Sequence, residues 1–296
     1  MADYFKKFHP VVNMVYFGIV FLCSMFMMHP VLICISLFCA IFYYIYVKGI
    51  RGFLKNIKVM SVMLIMIMII NPLFNHEGMT ILFYLKSGNP ITAESIWYGF
   101  FMTLLFLAVF LWFGCYNEVM TSDKFVYLFG RIMPYFSLLL SMTLRYVPRF
   151  RVQFQKVREA QKCIGRDMSD GNLLQRIRNM VKIISIMISW SFENSIETAD
   201  SMRARGYGLP GRTAFSIYKF SKQDKQVLTV LLCLTAMLLI GIQKDTVPYR
   251  YFPVFETGLF QPEMLIFYGI YGAICLIPLF LNIMEDRKWK HLESNI

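Results

Sequence analysis

Three carboxylates, Glu193, Glu197 and Asp200, follow one another at i+4 and i+3 spacing in a stretch that reads as helix, so they share a face. Such a cluster carries the groups of a general acid/base pair. A solvated face, or ion pairs with the basic helix that precedes it, accounts for the same three residues with fewer assumptions. The helix then runs into Met202-Arg203-Ala204-Arg205-Gly206-Tyr207-Gly208-Leu209-Pro210-Gly211. Glycine and proline stop a helix, and cations are favoured at the negative end of its dipole. Capping explains the glycines but leaves two arginines and an Ala/Gly surface free to serve a partner. Other chemistry is missing. No G-x-x-x-x-G-K-[ST] occurs, and Gly208-Leu-Pro-Gly-Arg-Thr213 lacks that spacing, so the chain should not hydrolyse ATP. The four histidines, 9, 29, 76 and 291, never form H-E-x-x-H, and no cofactor or metal site is expected. The seven cysteines include no C-x-x-C and read as inert thiols.

The elements that position these residues are membrane elements. Of 296 residues 57% are hydrophobic and 16% charged, against roughly 45–50% and about 25% in soluble domains. Six apolar segments, 11–28, 31–47, 59–74, 95–115, 226–242 and 264–284, approach the roughly 17–25 residues that cross a ~30 Å core. The first, preceded by MADYFKKFHP, has no small-residue cleavage site and reads as a retained span. Few ionisable residues fall within the spans, which argues against a substrate pore in this chain.

Charge sets the orientation. Lys6 and Lys7, then Lys48, Arg51, Lys55 and Lys58, and finally Arg287, Lys288 and Lys290 mark inside connections. Segments 75–94 and 243–263 are poor in net positive charge and read as outside. Between spans four and five, 116–225 holds 18 basic and 9 acidic residues, +9 of the chain's net +12. One topology satisfies every connection: a multi-pass membrane protein of six spans, N-in and C-in. Positive charge concentrated on inside segments is what membrane topology already requires, so it gives no reason to expect nucleic-acid binding. The expected organisation is a membrane domain of spans 1–4 (1–115), a cytoplasmic domain (116–225), and spans 5–6 with a tail (226–296).

A segment of about 110 residues between spans should have structure and a task. One helix is expected over 134–164, with Val147, Phe150, Phe154, Val157 and Ile164 as its stripe and a kink or start at Pro148. A second is expected over 172–205, its stripe passing from Ile and Met to Ser191, Ser195 and Ala199, small residues that permit close approach.

Here the sequence resembles the T component (EcfT / CbiQ-like), the transmembrane coupling subunit of energy-coupling factor (ECF) vitamin and metal transporters. Glu197-Thr-Ala-Asp-Ser-Met-Arg-Ala-Arg-Gly206 is similar to that family's second Ala-Arg-Gly motif, at the end of a coupling helix. Leu144-Arg145-Tyr146-Val147-Pro148, leading to Ala160-Gln161-Lys162-Cys163-Ile164-Gly165, stands where the first belongs. The departure is Cys163-Ile164-Gly165 in place of Ala-Arg-Gly, with Lys162 or Arg166 as sources of the missing cation.

The resemblance implies an all-α polytopic fold with two long cytoplasmic coupling helices between spans 4 and 5. It implies docking of Ala204, Arg205 and Gly206, with Arg203, and of Ala160 to Arg166, into grooves on two ABC-type ATPase subunits. It also implies a separate substrate-binding S component held at the membrane face, for vitamin or metal-ion (cobalt) uptake. An arginine fork beside a glycine suits such a groove. The competing classes are an intramembrane enzyme such as a lipid transferase using Glu193, Glu197 and Asp200, and a membrane anchor or sensor for a soluble partner. Co-purification with two nucleotide-binding subunits separates them.

Overall fold

The structure, a computed structural model, describes residues 3–84, 90–169, 171–207, 209, 218–243 and 262–293. It divides into two compact units, Met1–Phe125 with Tyr218–Ile296, and Val126–Ile217. The first is built from α1 (Pro10–Phe26), α2 (Pro30–Phe74), a hairpin of β1 (Ile81–Tyr84) and β2 (Pro90–Thr92), α3 (Ala93–Val119), α7 (Lys222–Gln243) and α8 (Pro262–Glu293). Helix α4 (Ser122–Ile132) leads into the second unit, which holds α5 (Pro134–Cys163) and α6 (Leu173–Ala204).

Among the described residues, four helices are long and apolar enough to cross a membrane: Pro30–Phe74, Ala93–Val119, Lys222–Gly241 and Met264–Glu293; Pro10–Phe26 is a shorter apolar helix. The fold is thus that of an all-α membrane protein, the hairpin aside. The difference from six separate expected segments lies in the shorter α1 and in α2, which joins two of them. Its 45 residues would extend about 68 Å at 1.5 Å per residue, twice a ~30 Å core, but Gly49 breaks it at φ 73°, ψ 166°. Only glycine takes that conformation without strain. The turn is sharp, because Asn56 donates to the Tyr44 hydroxyl and the Tyr44 and Phe53 rings lie 6.2 Å apart.

The two limbs of α2 consequently run in opposite senses along α3. In the first, Ser36 accepts from Trp112 Nε1 at 3.0 Å and Lys48 pairs with Glu118 at 3.8 Å, so the limb is parallel to α3. In the second, Asn71 and Pro72 lie beside Gly99, so that limb is antiparallel. The stretch 48–58, expected as a connection, is helical except at Gly49, and the region after 284, expected as a tail, continues α8 to Glu293. The 75–94 connection carries the hairpin. Segment 244–261, most of the other expected outside connection, lies outside the described residues.

Lipid tails are as apolar as Leu, so interhelical hydrogen bonds and close packing hold such a bundle, each bond contributing about 0.6 kcal/mol. Fully buried Trp112, Tyr16, Tyr43 and Tyr271 form its centre. The Ser24 hydroxyl bonds both Ser36 and Tyr271, and Tyr16 donates to the Cys275 carbonyl. All seven cysteines are free thiols.

One pole of this unit gathers its charged ends. Asp3 accepts from Tyr43 and from Asn282 Nδ2, Tyr46 donates to Asp286 at 2.6 Å, and Asp224 accepts from the His9 amide. Lys124, 4% exposed, donates to the Lys6 carbonyl and to Asn13, whose amide is oriented by its partners. Burial, then the Lys6 charge, push the Lys124 ammonium down to about 8. Two His-Pro steps start the first two helices: Pro10 and Pro30 sit in the first turn, and His9 and His29 Nδ1 accept from the amides two residues on.

Candidate functional site

In the second unit the helix bounds follow from the local sequence. Pro134 opens α5, which passes through Pro148 as one continuous 30-residue helix, where a kink or start was expected. Asn172 and Gln175 form a capping box ahead of α6. Across the pair, Phe150 meets Trp190 edge-on at 5.4 Å, Arg149 lies over the same indole, and the Tyr146 and Thr198 hydroxyls share a hydrogen bond of 2.6 Å. Residues 146 and 150 thus face 198 and 190, which sets the helices antiparallel.

The two helix ends singled out by sequence have the same backbone. Ile164 is the C-cap of α5 at φ −92°, ψ 8°, and Arg205 that of α6 at φ −87°, ψ 6°. Gly165 and Gly206 follow at φ 73° and 75°. The Gly165 amide donates to the Lys162 carbonyl and Arg166 to Gln161, while Gly206 donates to Arg203 and Tyr207 to Met202. Both are therefore Schellman caps, with the 5→2 and 6→1 bonds that satisfy the last carbonyls. Ile164 and Arg205 occupy the same position of one motif. Arg205, Arg203 and Ala204 are exposed, as are Ala160, Lys162, Cys163, Gly165 and Arg166; Ile164 is 66% exposed, and Gln161 and Gly206 are half-buried.

These two sets of residues are not brought together. The first end leads directly into the start of α6 and the second is its finish, and a 32-residue helix is about 48 Å long. They are two separated knobs on one antiparallel helical pair.

Asp167, which the sequence reading passed over, secures the first knob. Its carbonyl accepts from Asn179 of α6 at 2.9 Å, and its buried carboxylate accepts from Ser169 at 2.7 Å. Arg158 and Lys162 approach that carboxylate at 3.8 and 4.0 Å. The Ser169 hydroxyl, with lesser help from the Met168 amide and the two cations, outweighs burial and holds the carboxyl below its usual range. Lys162 lies at the limit of ion-pair distance from Asp167 and its side chain stays exposed. Only its place two residues beyond a helix-ending glycine hinted at Asp167.

Glu193, Glu197 and Asp200 are all exposed, and none belongs to the four ion pairs found among the described residues. They are a solvated face, and the expected alternative of pairing with the first helix is not what the structure holds. A second surface is apolar: Leu173, Leu174, Ile177, Val181, Ile184 and Ile188 of α6 are each 45–82% exposed.

An apolar helical bundle with four helices long enough to cross a bilayer, among the described residues, is the build of a polytopic membrane protein. Residues 5–216 match the family model of CbiQ, "Cobalt transport protein", and the chain belongs to that family. It is 36% identical over 105 residues to the "Energy-coupling factor transporter transmembrane protein EcfT 1" of Listeria monocytogenes, covering 35% of this chain and 40% of that one. The corresponding proteins of Lactobacillus helveticus and Bacillus subtilis are 33% and 30% identical over 105 and 103 residues. The match therefore spans about two-fifths of the length of these curated relatives.

Proposed function

We propose that this chain is the transmembrane coupling subunit of an ECF-type ABC importer, and that the unit Val126–Ile217 transmits the motion of two separate ATPase subunits to a substrate-binding S component. The observation that carries this reading is the pair of congruent caps set about 48 Å apart on an antiparallel helical hairpin. One knob could serve any partner. Two knobs of one geometry fit two subunits of one kind that move relative to each other, and the names of the relatives agree with such an assembly. ATP would be hydrolysed in the partners, since the chain has no phosphate-binding loop.

In this reading α5 and α6 are the coupling helices and the charged pole of the bundle faces the cytoplasm. The clustering of Lys6, Lys48 and Lys124 there supports an N-in, C-in arrangement of six crossings, α2 supplying two. The cargo is a vitamin or a metal ion held by the S component. Tagged chain purified from its native membrane should bring two nucleotide-binding subunits and one small membrane protein, and the complex in vesicles should take up cargo only with ATP. Purification without nucleotide-binding subunits would overturn the proposal. A cysteine at Ser169 should be labelled from the cytoplasmic side and one at Met79 from the other; labels on the same side would refute the topology.

A further inference from the structure

We propose that the β1–β2 hairpin is an interfacial anchor, seated in the head-group region of the bilayer where the second limb of α2 ends and α3 begins. Strand β1 is Ile81-Leu-Phe-Tyr84, and its four residues are 47–65% exposed. Successive side chains of a strand point to opposite faces, so both faces of β1 are apolar and uncovered. Strand β2 is turned inward instead, with Ile91 and Thr92 buried. Water is the wrong surrounding for β1. Hydrocarbon is equally wrong, because the sheet has two strands among the described residues and the far edge of β1 has no strand to pair its amides and carbonyls. At the boundary between the two, apolar side chains enter lipid while backbone groups still meet water.

An isolated two-stranded ribbon is marginally stable, and this one is tied to the helix beside it. The Glu94 carboxylate, in the first turn of α3 and 2% exposed, accepts from the Thr80 amide at 3.2 Å and from the Thr80 hydroxyl at 2.7 Å. The Thr92 hydroxyl donates to the Glu77 carbonyl at 2.7 Å. Strand β1 is thereby pinned at the foot of a helix long enough to span. Two observations favour a bilayer over a protein partner. The apolar surface of β1 is continued by the end of α2, where Ile69, Ile70, Leu73 and Phe74 are exposed. Aromatic residues of the kind that mark a membrane boundary gather at this one level: Phe74 at the last position of α2, Tyr84, and Trp97 one turn into α3, each more than half exposed. In the proposed topology this is the outer boundary. The inference rests on the reading that the second limb of α2 and α3 cross the bilayer, and it does not need the coupling role.

The test uses the full-length chain in vesicles of dioleoylphosphatidylglycerol and dioleoylphosphatidylcholine, carrying a genetically encoded coumarin amino acid in place of Phe83. Separate preparations carry it in place of Val62, near the middle of the second limb of α2, and of Glu193, on the solvated face of α6. All three side chains are exposed, so the reporter leaves the packing intact. Lipids brominated near the head group should quench position 83 about twofold more than lipids brominated near the chain ends, and the order should reverse at 62. Iodide on both sides of the membrane should quench 193 about fivefold more than 83. Iodide reaching 83 as freely as 193 would overturn the proposal, and so would stronger quenching of 83 by the chain-end bromines, which would put the hairpin in hydrocarbon. A photo-crosslinking amino acid in place of Leu82 should capture phospholipid in native membranes; capture of a polypeptide would assign the strand to a protein partner and equally overturn it. Lipid quenching at 62 without any at 83 removes the anchor alone, whereas quenching at neither refutes the crossing reading and the anchor with it.

Discussion

The ends of α5 and α6 share a backbone and differ in a side chain. Both finish in a Schellman cap with glycine at φ near 75°, yet the residue presented at the cap is Ile164 in one and Arg205 in the other. The conformation is set by the glycine and by main-chain hydrogen bonds, so it tolerates any residue at the cap. Chemistry at that position can therefore diverge while the knob keeps its shape. An arginine presents a planar fork for carboxylates or carbonyls; an isoleucine can only fill an apolar hollow. The two ends should thus demand different grooves.

The largest effect should come from reversing the charge at the second end. Arg205→Glu should lower affinity for the ATPase subunits by about 2–5 kcal/mol, visible as loss of co-purification with membrane insertion intact. Wild-type assembly in this variant would erase the contrast between the ends. At the first end, Ile164→Asp should bury a carboxylate without a partner and weaken assembly by about 2 kcal/mol or more, while Ile164→Leu should cost less than about 1.5 kcal/mol. If Ile164→Asp assembles like the parent, the first docking site lies elsewhere, with Lys162 and Arg166 next in line.

A smaller effect tests the shared backbone. Gly165→Ala and Gly206→Ala should each cost about 1–2 kcal/mol through the left-handed conformation, and by similar amounts, since nothing lies within 4 Å of a Cβ at Gly165 and only the Leu209 side chain, at 3.2 Å, approaches one at Gly206. Urea unfolding followed at Trp190 would compare them, and sharply unequal costs would mean the caps are not equivalent. The smallest effect should separate the ends by pH. Asp167 has a lowered pKa, so its support of the first end is complete above the ordinary carboxylate pKa of about 3.9 and fades as pH falls through the lower folded value. Asp167→Asn should flatten acid destabilisation of the α5 end, read by hydrogen exchange, and leave the α6 end unchanged.

Much of this architecture is written locally. The expected helices 134–164 and 172–205 match α5 and α6 almost to the residue, because Pro134, the Asn172–Gln175 box and the two stop glycines are signals within a few positions of the bounds they set. Apolar length gave the bundle helices for the same reason. What was illegible depends on distance or on a single residue in an uninformative setting. Gly49, between Lys48 and Ile50, looks like any glycine in a connection, yet it is the whole turn between two helical limbs. Asp3 and Asn282 are 279 positions apart, so their contact has no trace in pattern. The hairpin was missed because four exposed residues, Ile81–Tyr84, are too few to show a period. At the candidate site, the residues were read but not their separation along α6, and Asp167 was not read at all, since its partners Arg158 and Asn179 come from two helices.

The most direct test of two-ended docking places a photo-crosslinking amino acid at 164 and, separately, at 205 in the assembled membrane complex. Each position should capture a nucleotide-binding subunit, with an exposed site between them, such as Glu193, capturing none. Capture at neither end, or at one end only, would contradict the account.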